Sequence, residues 1–155
     1  MRLRMLGAIC LAVLLGYLFG KVIFNQYQNN LLDVFREQVT LYFLQQGVYS
    51  SVDSMNKNTT KLKNYIYVKE NDLYRVYAAI TRDIENANKL KEYFNDLGND
   101  IYVKEIKVSN RAFINIVEQY DKLLALTDDG NNINNIVKEV LTKYQELVVD
   151  GKVVN

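Results

Sequence analysis

The pentapeptide Ile-Tyr-Val-Lys-Glu occurs twice, at residues 66–70 and 101–105, and no other feature so narrows what this 155-residue chain can fold into. Each copy closes a stretch that reads strand, helix, strand, over 41–70 and 73–105. Thr40 to Val48 reads as a first strand. Ser51 is then a candidate cap for a short helix with Val52, Met55, Thr59 and Leu62 on one side. Tyr65 to Lys69 alternates like a strand, Glu70-Asn71-Asp72 is a turn cluster, and Leu73 to Ile80 completes a hairpin. Asp83 caps a stronger helix whose Ile84, Ala87, Leu90, Phe94 and Leu97 share a face, and Gly98 stops it. Ile101 to Val108 is the fourth strand. The offset between halves is 32 at the first strand and 35 at the second, so the second helix gains nearly one turn and keeps its inward face. The expectation is an α+β fold: a βαββαβ unit with ferredoxin-like topology, a four-stranded antiparallel sheet, and both helices on one face.

Segments lie on either side of that unit. Met5 to Gly20 carries no charge and the apolar run resumes at Val22 to Phe24, which predicts an N-terminal transmembrane helix over 1–24. Arg2 and Arg4 before the run place the N-terminus in the cytoplasm and the rest outside, so a single-pass membrane protein is expected. Residues 25–39, with Leu31, Leu32, Phe35 and Val39 at helical spacing, read as a juxtamembrane stalk. At the other end, Phe113, Ile116, Val117, Tyr120, Leu123 and Leu124 form one stripe. Ile133, Ile136, Val137, Val140, Leu141, Tyr144 and Leu147 form another, so 109–155 reads as a helical hairpin and tail.

Composition removes several functions. Without histidine the chain has no imidazole base or ligand, and Cys10 has no partner within the chain. Its acids are scattered over helix surfaces, with no carboxylate pair and no nucleophile beside a base, so no catalytic residue, metal or cofactor is expected. Thr127-Asp128-Asp129-Gly130-Asn131 lacks the alternating ligands of a calcium loop and reads as a polar turn. Beyond residue 24, sixteen Lys and Arg (19 less Arg2, Arg4 and Lys21) stand against all 18 acids, about −2, which argues against a nucleic-acid partner.

The stretch Gln45-Gln46-Gly47-Val48-Tyr49-Ser50-Ser51 resembles the opening motif of SPOR domains, the sporulation-related repeat, in which a strand with Gln, Gly and an aromatic runs into the first helix. The duplicated strand-helix-strand order is similar as well, and the likeness covers about 40–108. The resemblance implies a bacterial module anchored in the cell membrane and facing outside the cytoplasm, which binds septal peptidoglycan, favouring glycan strands stripped of stem peptides, with a role in cell division or sporulation. Departures bear on glycan affinity more than on the fold. Ala79 stands where the second half usually repeats Gly, Ile80 where Pro is common, and Gln46 where the first half has an apolar residue.

Strand alternation names a candidate glycan surface. If Leu44, Val48, Val76, Ile80, Ile66, Val68, Ile101 and Val103 meet the helices, then Phe43, Gln45, Gly47, Tyr49, Tyr67, Arg75, Tyr77 and Tyr102, with Lys69 and Lys104, face away. Flat rings beside amides and cations suit sugar, whose faces are apolar and whose rims are polar. A terminal hairpin lying over that face would turn the site into core. The alternative function is a membrane-tethered protein-interaction or structural module that keeps the fold without glycan binding, its hairpin meeting division or sporulation proteins.

Overall fold

A computed structural model describes residues 38–149, together with Tyr17, Gly20 and Lys21, which are helical. The chain divides into two units, Met1–Glu37 and Gln38–Asn155, and the fold described is that of the second. Its strands are β1 (Val39–Tyr49), β2 (Ile66–Glu70), β3 (Leu73–Thr81) and β4 (Tyr102–Val108); its helices are α1 (Val52–Asn58), α2 (Ile84–Asp96), α3 (Arg111–Ala125) and α4 (Gly130–Val149). The strands form one antiparallel sheet in the order β2-β3-β1-β4.

The expected fold class needs correction at its membrane helix. Among the described residues no helix is long and apolar enough to cross a membrane. The longest, α4, has 20 residues, but beside its apolar stripe it carries Lys138, Glu139, Lys143 and Glu146. The segment expected to span, 1–24, lies outside the described residues apart from Tyr17, Gly20 and Lys21, and so does most of the expected stalk. Val39, assigned to the stalk, begins β1.

Local chemistry accounts for the boundaries. Ser51 Oγ accepts from Ser54 N–H at 3.2 Å, and Asp83 accepts from the N–H groups of Glu85 and Asn86 at 2.7 and 3.2 Å. Asn110 and Asp129 do the same for α3 and α4, so each of α1 to α4 begins on a side chain that accepts from one or two of its free N–H groups. Asn71 and Asp72 both have positive φ, 50° and 62°, which is the two-residue turn whose twist matches a hairpin. Gly98, at φ 77°, ends α2: its N–H reaches Asn95 O and the next N–H reaches Phe94 O.

The sheet is covered on both sides. Every β3 residue from Val76 to Thr81 is buried, and since alternate side chains point to opposite faces, both faces of β3 must be covered. Adjacent residues of β1 agree, because Phe43 and Leu44 are both fully buried. On the Phe43 face the rings of Tyr77 and Tyr144 lie 5.3 and 5.2 Å away, edge on, and Tyr144 stands 5.5 Å from Phe113. Phe113 belongs to α3 and Tyr144 to α4, so the helical hairpin closes that face. Leu44 points to the other face, where α1 and α2 bring Met55, Ala87, Leu90 and Phe94. The expectation that the face opposite α1 and α2 is free is therefore corrected to a three-layer arrangement.

The repeated pentapeptides form the two outer strands and carry the same burial sequence: Ile66 and Ile101 are buried, Tyr67 and Tyr102 exposed. They do not face the same layer. Ile66 pairs with Tyr77, on the hairpin side, whereas Val103 pairs with Leu44, which places Ile101 two residues earlier on the α1–α2 side. The β1–β3 ladder has two register shifts, between Leu44 and Gln45 and between Gln45 and Gly47, and the first is the cause. One adds Ala78 to β3 and the other adds Gln46 to β1, and each added residue changes which side chains share a face.

Candidate functional site

The structure separates the eight residues expected to form one glycan surface. Phe43 is fully buried and Tyr77 is 4% exposed, so both are core and neither can meet a ligand. Their surroundings raise phenol pKa values: burial pushes Tyr144 up to about 12, with Tyr77 adding to it. Burial raises Tyr77 too, partly offset by Arg75 and reinforced by Glu70. Gln45 turns inward, with its amide oxygen buried and accepting no hydrogen bond. Arg75 binds Glu70 Oε2 through Nε at 2.7 Å. Tyr102 is exposed on β4, its hydroxyl donating to Asp100 at 3.1 Å, and that hydrogen bond raises its pKa.

Gly47 and Tyr49 belong to a local clip. A Cβ on Gly47 would stand 2.5 Å from the Tyr49 hydroxyl, because the Tyr49 ring folds back over the glycine. The Tyr49 hydroxyl donates to Gln46 Oε1 at 2.7 Å, and Gln46 Nε2 donates to Asn58 O at 3.3 Å, at the end of α1. Gln46, Gly47 and Tyr49 thus join β1 to α1. The break in the apolar run at Gln45-Gln46-Gly47 marks a bulge and this clip.

What remains open on the sheet is a small tyrosine ledge. Tyr49 pairs with Tyr74, and Tyr74 with Lys69, across three strands of one face. The Tyr67 ring is 5.8 Å from Tyr74, at 62°, and Lys69 Nζ lies 5.8 Å over Tyr74. Tyr67 is 53% exposed while Tyr49 and Tyr74 are half-buried. Rings and a cation here can stack on a flat apolar surface. Tyr74 was absent from the expected set because alternation places it with Val76, toward the helices; it does lie there, and Tyr49, Tyr67 and Lys69 join it on that face.

A second polar site lies where β3 runs into α2. A cavity of about 380 Å³ is lined by Arg82, Asp83, Glu118, Asp121, Lys122 and Ala125. The Asp121 carboxylate accepts from the Thr81 hydroxyl and from Arg82 N–H, the latter at 2.8 Å, and Asp121 O accepts from Asn86 Nδ2 at 3.0 Å. Burial raises the Asp121 pKa against the opposing effect of those hydrogen bonds. Arg82 also pairs with Glu118. Lys89 Nζ donates to Leu124 O and Thr127 O, at 3.0 and 2.6 Å, and so closes the C-terminal end of α3. Asn134 Nδ2 meets the Tyr93 hydroxyl at 2.7 Å, and Asn64 Nδ2 reaches Asn134 O at 3.2 Å. These contacts tie the hairpin to β3, to α2 and to the segment before β2.

The arrangement around Asp121 explains attachment more directly than chemistry. Replacing Asp121 by Ala strands the Thr81 hydroxyl and Arg82 N–H, for an expected loss of about 2–3 kcal/mol in urea unfolding. Asp121→Asn keeps an acceptor and removes a desolvated charge, so its expected loss is under about 1 kcal/mol. Equal losses for the two variants would contradict that account. Among the described residues no group of acids or thiols is placed to hold a metal ion. Compared with known proteins, the chain matches no family model, no curated protein and no solved structure.

Proposed function

We propose that this chain is a non-catalytic protein-interaction or structural module, in which a duplicated strand-helix-strand sheet has given its aromatic face to its own helical hairpin. One observation carries the reading: Phe43, the centre of the expected glycan platform, is fully buried beneath Tyr144. A glycan strand needs a continuous exposed surface, and here that surface is replaced by a third layer. The hairpin in turn leaves apolar side chains outside, with Leu123 53% and Leu126 86% exposed. Exposed leucines on one helix are a usual mark of a contact surface.

A second reading, binding of denuded peptidoglycan strands by a SPOR-like domain outside the cytoplasm with a role in division or sporulation, is favoured by the tyrosine ledge. Tyr67, Tyr74 and Lys69 present rings and a cation on the open part of the sheet. Co-sedimentation separates the two. The full chain is mixed with sacculi, intact or treated with amidase to remove stem peptides. The interaction reading expects no enrichment in the stripped pellet. Enrichment that disappears in a Tyr67→Ala, Tyr74→Ala double variant would overturn it and restore glycan binding at the ledge.

A further inference from the structure

α3 buries Phe113, Ile114, Val117 and Leu124, and a second row runs along its outer side: Ala112, Ile116, Gln119, Leu123 and Leu126. The spacings of four, three, four and three are those of a coiled-coil seam. Between this row and α4 lies a groove of about 320 Å³, lined by Ile116, Gln119, Tyr120, Leu123 and Lys143. No described element of the chain covers Leu123 or Leu126.

We propose that this row is the contact between two copies of the chain, which pair α3 against α3, antiparallel, about a two-fold axis at Gln119. The proposal rests on reading the chain as an interaction module, and it names the partner. The row is complementary to its own reverse. Turned end for end, Gln119 meets Gln119, Ile116 meets Leu123, and the small Ala112 meets the large Leu126. An amide at the axis can donate to and accept from its copy, and one polar residue in a seam fixes register.

Charge selects the same direction. Glu118 and Lys122 lie on one flank of the row. Antiparallel pairing brings the Lys122 of each copy alongside the Glu118 of the other, twice. Parallel pairing would set this flank against the opposite flank of the copy, where Tyr120 lies, and both contacts would be lost. Glu118 also holds Arg82 within its own chain, so the flank is already ordered. A helix of 15 residues spans only about 22 Å, so the interface is small and the dimer dissociates in the micromolar range.

Sedimentation velocity of the full chain over a dilution series is expected to show a dimer giving way to monomer. Leu123→Glu should weaken association about 30-fold or more, whereas Ile84→Glu, on the exposed start of α2, should leave it unchanged. In a Cys10→Ser background, Gln119→Cys should form a covalent dimer rapidly under mild oxidation. Ala112→Cys alone should not, since the two copies of residue 112 lie at opposite ends of the seam. A monomer at every concentration, no effect of Leu123→Glu, or equal cross-linking at both positions would overturn the pairing. If the monomer also fails to pellet with stripped sacculi, only self-pairing has failed and the interaction reading stands. If it pellets, the underlying reading has failed.

Discussion

A chain ending at Val108 is expected to show no cooperative unfolding transition. Removing α3 and α4 uncovers Leu41, Phe43, Tyr77 and Ile80, all buried in the whole chain. At roughly 1.5–3 kcal/mol for each large apolar side chain, those four come to about 6–12 kcal/mol. A domain of this size has a net stability of about 5–15 kcal/mol, so the loss is comparable with the whole of it. Polar ties are lost as well, including those of Lys89 and Asn86 to α3 and of Asn64 to α4. Urea titration followed by far-ultraviolet circular dichroism checks this. A fragment that unfolds in one sharp step, with most of the parent's stability, would mean that the sheet and two helices are self-sufficient.

Phe43→Ala is the second large effect, with an expected loss of about 3–5 kcal/mol, because the ring fills a closed space between β3 and the hairpin and its removal leaves a cavity. Tyr67→Ala, at a ring that is 53% exposed, should cost less than about 1 kcal/mol. The contrast distinguishes core from binding surface among residues that alternation had grouped together. Near-equal, small losses at both positions would return Phe43 to the surface.

Much of the framework was legible because it rests on local chemistry. Ser51, Asp83 and Gly98 sit where caps and stops are required, and Asn71-Asp72 forms the turn that its residue types favour. The layer arrangement depended on signals of another kind. Val76-Tyr77-Ala78-Ala79-Ile80 has no polar residue at either parity, and such a continuous run is the pattern of a strand covered on both faces. That signal was available, and it outweighs the alternation that placed Tyr77 outside. The bulge was less accessible. An inserted residue at Gln46 or Ala78 leaves no periodic mark, yet the one at Ala78 moves Ile66 and Ile101 to different layers although their pentapeptides are identical. Gly47 breaks the apolar run visibly in the sequence, and Tyr49 was grouped with it as ligand-facing. Their role lies in a contact between neighbours four residues or fewer apart, which a ligand-facing interpretation passes over.

Enclosure of the aromatic sheet face by the helical hairpin is the claim on which the rest depends. A double-mutant cycle between Phe43 and Tyr144 tests it directly, with Phe43→Leu, Tyr144→Leu and the combined variant compared by urea unfolding of the full chain. The edge-on contact at 5.2 Å predicts a coupling of about 0.5–1.5 kcal/mol. Losses that simply add, to within about 0.3 kcal/mol, would show that the two rings do not touch and that the face is open.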